Sequence, residues 1–268
     1  MEHEKDQETE ISKVFDELWE KRKEVNSWDY LSEIIYNRIL DELKEIEGVK
    51  EILETGSGTG RISLRLAQNG YKTTLLDISF SALKISEKLF KKENLSANLI
   101  AGSIFNLPFI DKTFDIVWNA GVVEHYLEED QKKAFLEMIR ICKNDGLIIT
   151  MNPSANSLIY RAGKYTLEKI GKWEYGFVKP IKSFENLSKE LKVKLSKEYS
   201  IGFIILFTEF FRRFIPYGSI ISNFLGKIFI SLERNPGGKF IRWIDKTLSN
   251  IFGGYLLVSV IKNEESLI

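Results

Sequence analysis

An α/β fold built on a doubly wound, mostly parallel sheet is predicted by three features of the sequence. Short apolar runs alternate with amphipathic stretches five times between about residues 51 and 151. The first run, Ile52-Leu53-Glu54-Thr55, breaks into Gly56-Ser57-Gly58-Thr59-Gly60, and Arg61 to Ala67 follow with apolar residues at helical spacing, so that stretch reads as strand, tight loop, helix. The next run ends on an acid, Asp77, 23 positions after Glu54. A carboxylate at the end of the second strand of such a βαβ unit accepts hydrogen bonds from ribose hydroxyls.

The 268 residues suffice for one substantial core, or one core with an insertion. Apolar residues at 44% and charged residues at 28% are an ordinary globular balance, and a formal net charge of zero gives no overall field to draw nucleic acid. Cys142 is the single cysteine, which excludes an internal disulfide and points to a reducing compartment. Its apolar, helical neighbourhood reads as that of an inert core thiol. No Cys/His cluster offers a metal site. Residues 1–10 are polar and acidic, unlike a secretory signal, and read as a disordered tail; the cytoplasm is the expected location.

The elements follow in order. Val14, Phe15, Leu18 and Trp19 recur at helical spacing, as do Trp28, Tyr30, Leu31, Ile34, Ile35 and Ile39, so two helices precede the first strand as an apolar cover on the sheet. Lys72 to Asp77 is the second strand. Asp77 could alternatively cap the next helix, with Ser79 or Ser81 sharing that work. Ser81 to Phe90 places Leu83, Ile85, Leu89 and Phe90 among lysines as an amphipathic helix. Asn98 to Ser103 is the third strand and its exit, and Phe114 to Asn119 the fourth, apolar on both faces as a buried parallel strand is. A helix marked by Phe135, Ile139 and Ile141 and a turn at Asn144-Asp145-Gly146 lead to the fifth strand, Leu147 to Met151. Ligands of open α/β sheets sit outside the carboxyl ends of the strands, which puts Asn119 to His125 at the active edge.

Glycine lets a chain turn sharply and lets a ligand approach with no Cβ in the way. A dinucleotide fingerprint would have glycine where Arg61 stands, and a Walker loop would end in Gly-Lys-Ser/Thr where Gly60-Arg61-Ile62 stands. The acid at Glu54 followed by Gly-x-Gly-x-Gly, with Asp77 and the Phe114–His125 strand end in step behind it, resembles the class I S-adenosylmethionine-dependent methyltransferases of the type 11-like, small-molecule kind. The resemblance is specific over about residues 45–155. It implies a Rossmann-like, seven-stranded, mostly parallel sheet with an antiparallel last strand and helices on both faces. It also implies that the cofactor is S-adenosyl-L-methionine, leaving as S-adenosyl-L-homocysteine, held by Glu54, Thr55, Gly56, Ser57, Gly58, Gly60, Asp77, Ile78, Ser103, Ile104, Asn119 and Ala120. Ser103 departs from the commoner aspartate at the adenine contact. The family's N-terminal helices often close over the cofactor, and Trp28 and Tyr30 suit that role.

Beyond Pro153 the alternation stops. Residues 155–185 carry aromatic and basic residues and read as a lid or acceptor-binding element. Leu191 to Ile205 contains a sixth strand and Tyr255 to Lys262 the seventh. The expected division is a tail with covering helices (1–44), a core (45–205 with 255–268) and a helical insertion between strands 6 and 7 (206–254). The insertion interleaves Phe207, Phe224 and Trp243 with Lys227, Arg234 and Arg242, while charges and Pro216 interrupt it too often for a membrane span. It reads as a helical cap, or as a basic amphipathic surface for a membrane, a lipid-linked acceptor or a second subunit.

The expected activity is methyl transfer to a small-molecule, saccharide or lipid-linked acceptor, with oxygen favoured and nucleic acid disfavoured. His125 is the candidate base or acceptor-orienting residue, because the only other histidine, His3, lies in the tail. Glu124 is expected to cap a helix or touch the cofactor. Two other readings stay open: an NAD(P)-dependent Rossmann oxidoreductase and a non-catalytic cofactor-binding protein.

Overall fold

The chain runs as α1 (Glu2–Lys21), α2 (Tyr30–Leu43), β1 (Glu51–Thr55), α3 (Arg61–Gln68), β2 (Lys72–Asp77), α4 (Phe80–Lys92), β3 (Asn98–Ala101), β4 (Phe114–Ala120), a single 3-10 turn (Val123–His125), α5 (Glu128–Ile141), β5 (Cys142–Pro153), α6 (Leu158–Lys169), α7 (Glu185–Glu190), β6 (Lys194–Ile201), α8 (Phe203–Phe214), α9 (Gly218–Arg234), α10 (Gly238–Phe252) and β7 (Leu256–Lys262). The computed structural model describes residues 2–21, 28–48, 51–214, 218–235 and 238–264. Pro216 lies outside them, as do the side chains of His3, Phe210, Phe211 and Arg213.

One seven-stranded sheet has the order β3-β2-β1-β4-β5-β7-β6. The first five strands pair in parallel, and β7 is antiparallel to both β5 and β6. The expected seven-stranded, mostly parallel sheet with an antiparallel last strand is therefore present. Successive side chains of a strand point to opposite faces, and this sorts the apolar residues into two cores. Ile52, Ile116, Trp118, Ile149 and Val258 meet α2 and α3 on one face. Leu53, Val117, Ile148 and Leu257 meet Phe135 and Met138 of α5 on the other. The strand order reverses between β1 and β4, and the carboxyl ends of those two strands open the crevice where ligands bind in such sheets.

Three expectations change. Residues 2–10, expected as a disordered tail, form the first turns of α1. Asp16 on that helix accepts hydrogen bonds from the Ser79 hydroxyl (2.5 Å) and the Ser81 amide (3.2 Å), which ties α1 to the start of α4. The sixth strand lies within the expected Leu191 to Ile205 stretch, but the helical insertion expected from residue 206 begins earlier, because the strand ends at Ile201, Gly202 turns the chain at φ +84° and α8 begins at Phe203. The helices between β6 and β7 thus start at residue 203. Asp245 and Ser249 of α10 accept the amides of Gly202, Phe203 and Ile204, satisfying donors that a helix start leaves unpaired. Finally, Trp28 and Tyr30 do not cover the ligand crevice. Trp28 lies under the Arg65 guanidinium and donates to Glu33, while buried Tyr30 donates to Glu233 of α9 at 2.9 Å. They are docking residues for the helices around α2.

Candidate functional site

The glycine loop after β1 folds as its spacing requires. Gly56, Gly58 and Gly60 all have φ between +52° and +65°. Gly60 caps α3, and a Cβ there would stand 2.2 Å from Leu75 Cδ2; a Cβ on Gly56 would stand 2.4 Å from Val122 Cγ2. Only glycine combines that backbone with that closeness. Within the loop, the amide of Ser57 bonds to the Leu76 carbonyl (3.1 Å) and that of Gly60 to the Ser57 carbonyl (2.9 Å).

Asp77, at the end of β2, holds this loop from the neighbouring strand. Its Oδ2 accepts the Gly58 amide at 2.6 Å and its Oδ1 the Ser79 amide at 2.7 Å. The cap of α4 is Ser79, whose Oγ accepts the Ala82 amide. The helix-capping alternative for Asp77 is thereby answered. Burial pushes the Asp77 carboxyl up to about 6, against those two amides. Glu54, beside it at the end of β1, is also buried; its Oε2 accepts the Ser63 hydroxyl at 2.5 Å, and burial pushes it up to about 8. Two buried acids facing one cleft favour a ligand that brings hydroxyl or ammonium donors to them.

The cleft is a cavity of about 240 Å³. Its lining includes the sequence-predicted Glu54, Gly56, Ser57, Gly58, Asp77, Ile78 and Ala120. Five other predicted residues do not line it. Thr55 is buried with its Oγ1 toward the Trp118 carbonyl (3.5 Å), and Gly60 is taken up as the cap of α3. Asn119 points to the other face of the sheet, where its Nδ2 lies 3.6 Å from Met138 Sδ. Ile104 is in the core, and Ser103 bonds to Glu8 of α1 and to the Phe105 amide. The side-chain alternation of β4 decides Asn119: its neighbour Ala120 faces the cleft, so Asn119 cannot.

Sequence reasoning missed several lining residues. Ile11, Phe15 and Trp19 of α1 cover the cleft, with the Trp19 ring against Gly58. Their helical spacing was visible, but nothing local said which surface they meet. Tyr255 and Leu256, from the far end of the chain, complete the wall.

A second cavity, of about 670 Å³, adjoins the first. Phe15, Trp19, Gly121, Glu124, His125, Pro153 and Tyr255 line both. The larger cavity continues past Tyr160, Trp173 and Tyr175 of the expected lid stretch and reaches Leu206 and Phe214 of α8. That stretch is pinned over the 3-10 turn: the Lys179 amide donates to the Glu124 carbonyl (2.8 Å), and His125 Nδ1 lies 2.8 Å from the Phe177 carbonyl. A carbonyl only accepts, so Nδ1 carries the hydrogen and Nε2 the lone pair. Burial lowers the imidazole to about 4, so the ring is neutral at neutral pH. Cys142 is remote from both cavities in the core, its thiol pushed up to about 12 by burial. Among the described residues no group of three or more His, Cys, Asp or Glu is placed to hold a metal ion.

Residues 53–150 match the family described as a methyltransferase domain. Among curated relatives, an uncharacterized protein of Methanocaldococcus jannaschii is 33% identical over 131 residues, 49% of this chain and 54% of the relative. The ubiquinone biosynthesis O-methyltransferase of Rickettsia akari is 29% identical over 170 residues, 59% of this chain and 64% of that protein. The chain thus spans between about half and two thirds of the length of these relatives. Among solved structures, the magnesium protoporphyrin IX methyltransferase of Synechocystis PCC 6803 with bound S-adenosylhomocysteine shares the fold at a TM-score of 0.58 and 15% identity, covering 72% of this chain and 92% of that one. A methyltransferase from Thermotoga maritima does so at a TM-score of 0.60 and 17% identity, covering 95% and 100%.

Proposed function

The chain carries a class I S-adenosylmethionine-dependent methyltransferase domain, and from that premise we propose that it transfers the cofactor's methyl group to a small molecule with a large apolar or aromatic body. The observation that carries this is the pair of adjoining cavities with a shared wall at Gly121, Glu124, His125 and Pro153. The cofactor supplies an electrophilic methyl on a sulfonium, with its own leaving group. The protein's part is to hold donor and acceptor in line, which is worth up to about 7–11 kcal/mol of barrier.

The glycine loop suits that cofactor: its positive-φ backbone turns tightly beside the cleft, and Asp77 and Glu54 on the same wall would take ribose hydroxyls and an ammonium group. His125, held by its Nδ1 at the Phe177 carbonyl, serves to orient the acceptor at the wall the two cavities share. An imidazole lowered to about 4 is too weak a base to remove an acceptor hydroxyl's proton itself. An oxygen acceptor on a ring with an apolar substituent suits the aromatic walls, and the relative named as a ubiquinone biosynthesis O-methyltransferase supports a quinone-like class. A lipid-linked form of it agrees with α9, where Ile220, Phe224, Ile228 and Leu232 form an exposed apolar stripe at four-residue spacing beside Lys227. That surface is proposed to rest on an anionic bilayer; no described helix is long and apolar enough to cross one.

The test is titration calorimetry with S-adenosylhomocysteine and NADH, followed by labelled-methyl transfer to a panel of alkylated phenols and hydroquinones. Binding of S-adenosylhomocysteine alone, with label in the organic phase, is the expected result. Binding of NADH instead would overturn the reading.

A further inference from the structure

Glu124 is fully buried, yet its Oε2 has no hydrogen-bond partner. The residue lines both the cofactor cleft and the acceptor cavity. The backbone explains why it is held there: its carbonyl is bonded by the Lys179 amide, and Gln131 Nε2 ties down the carbonyls of Val123 and Tyr126 on either side. A segment tied down by these bonds thus holds Glu124, with its Oε2 unpartnered, at the wall the two cavities share. Unpaired buried polar groups are uncommon and call for a function or a missing ligand.

Among the described residues no cation offsets the burial. Desolvation raises the Glu124 carboxyl to about 8, opposed only by its own backbone N–H. The charged groups that line the two cavities are Lys164 across the larger one and Glu54, Asp77 and Arg61 across the cleft. Lys164 is paired with Glu168 and lies over the Trp173 ring; beside Glu124, His125 is neutral and Tyr126 is held in its phenol form by burial.

We infer that Glu124 is the residue that takes the acceptor's proton during methyl transfer, and that the acceptor group is an ionisable X–H such as a phenolic hydroxyl or an amine. This rests on the methyltransferase reading. Because the methyl must pass from one cavity to the other, the positive sulfur lies at their shared wall. A positive charge beside a buried carboxyl favours its ionised form, whereas the neutral thioether product does not. Glu124 is therefore protonated without the donor and loses its proton to solvent when the sulfonium binds. In the transfer itself the sulfur–methyl bond breaks with its electron pair staying on sulfur. The acceptor's X forms the new bond to carbon, and its hydrogen passes to Glu124 as a proton. Sulfonium, carboxylate and X–H become thioether, carboxylic acid and X–CH3, with net charge zero on both sides. Glu124 ends in the protonation state in which it began.

The test is proton linkage on the full chain. S-adenosylmethionine and S-adenosylhomocysteine are titrated calorimetrically at pH 7 in buffers of different ionisation enthalpy, into wild type, Glu124→Gln and Glu124→Asp. Wild type should release close to one proton with the sulfonium ligand and far less with the thioether. Glu124→Gln, which mimics the neutral acid, should bind both and release none. Glu124→Asp should keep part of the release, showing that the carboxyl group and not the fold is being read. Sulfonium binding without proton release in wild type, or equal release in Glu124→Gln, overturns the assignment while leaving the methyltransferase reading intact. If neither ligand binds, that reading itself fails and the assignment falls with it.

Discussion

Replacing Asp77 by alanine tests the cleft at the residue that joins its two strands. In wild type the two carboxylate oxygens accept the Gly58 and Ser79 amides at 2.6 and 2.7 Å, which aims the carboxylate across the loop. A ribose hydroxyl donating to an ionised acceptor is worth about 1.5–3 kcal/mol, so the variant should bind S-adenosylhomocysteine roughly ten- to a hundredfold more weakly. Protonation competes with that bond. Since burial holds the carboxyl at about 6, wild-type affinity should rise as pH rises through about 6, and the variant should be flat over the same range. Stability behaves differently. A carboxyl raised from 3.8 to about 6 binds its proton more tightly when folded, so its ionisation costs stability as pH rises through that window. The cost is about 3 kcal/mol in full. Alanine removes it but strands two amides at about 1–3 kcal/mol each. The terms largely offset at pH 8, so the melting temperature should move little while affinity falls. Calorimetry at pH 5.5 and 8, with a thermal scan of each sample, measures both. Unchanged affinity at pH 8, or the same pH slope in the variant, would refute the reasoning.

Other consequences can be checked on the same samples. Gly60→Ala places a Cβ 2.2 Å from the fully buried Leu75 side chain at φ +63°, whereas Gly70→Ala, at φ +88°, meets nothing within 4 Å. Urea unfolding should show the first losing about 1–3 kcal/mol more than the second, the range for overpacking a core; equal losses would mean the loop yields. Trp19→Ala uncovers the cleft at Gly58, and should weaken S-adenosylhomocysteine by about 1.5–3 kcal/mol, the scale of one large apolar side chain, with a much smaller effect in global unfolding. His125 is lowered from 6.5 to about 4 on folding, so the unfolded chain binds the extra proton between those values and stability is lost as pH falls through them. His125→Asn should therefore flatten the acid side of a melting-temperature profile between pH 6.5 and 4. An unchanged acid limb would show that the imidazole is not buried as described.

The sheet and the glycine loop were legible in the amino-acid pattern. Strands buried on both faces read as continuous apolar runs, and three glycines at alternate positions admit few backbones, so Ile52 to Asp77 was legible as strand, loop, helix and strand. The acids at Glu54 and Asp77 were legible for the same reason, since a strand end in a parallel sheet has one place to be. Which face a strand-end side chain takes was harder: Asn119 and Ala120 are adjacent, and only pairing with β1 and β5 sends the alanine to the cleft and the asparagine to Met138. What covers the cleft was decided by tertiary structure alone. The periodicities of α1 and α2 are alike, but Asp16 finds the Ser79 hydroxyl and Tyr30 finds Glu233, some 200 residues away in sequence. Those long-range polar partners set α1 over the cleft and tie α2 to α9, while Leu31 and Ile35 of α2 still reach the cleft wall. The meeting of Glu124 with both cavities is decided in the same way, because a carboxyl's burial and lack of partner are properties of everything packed around it and of no residue in its own segment.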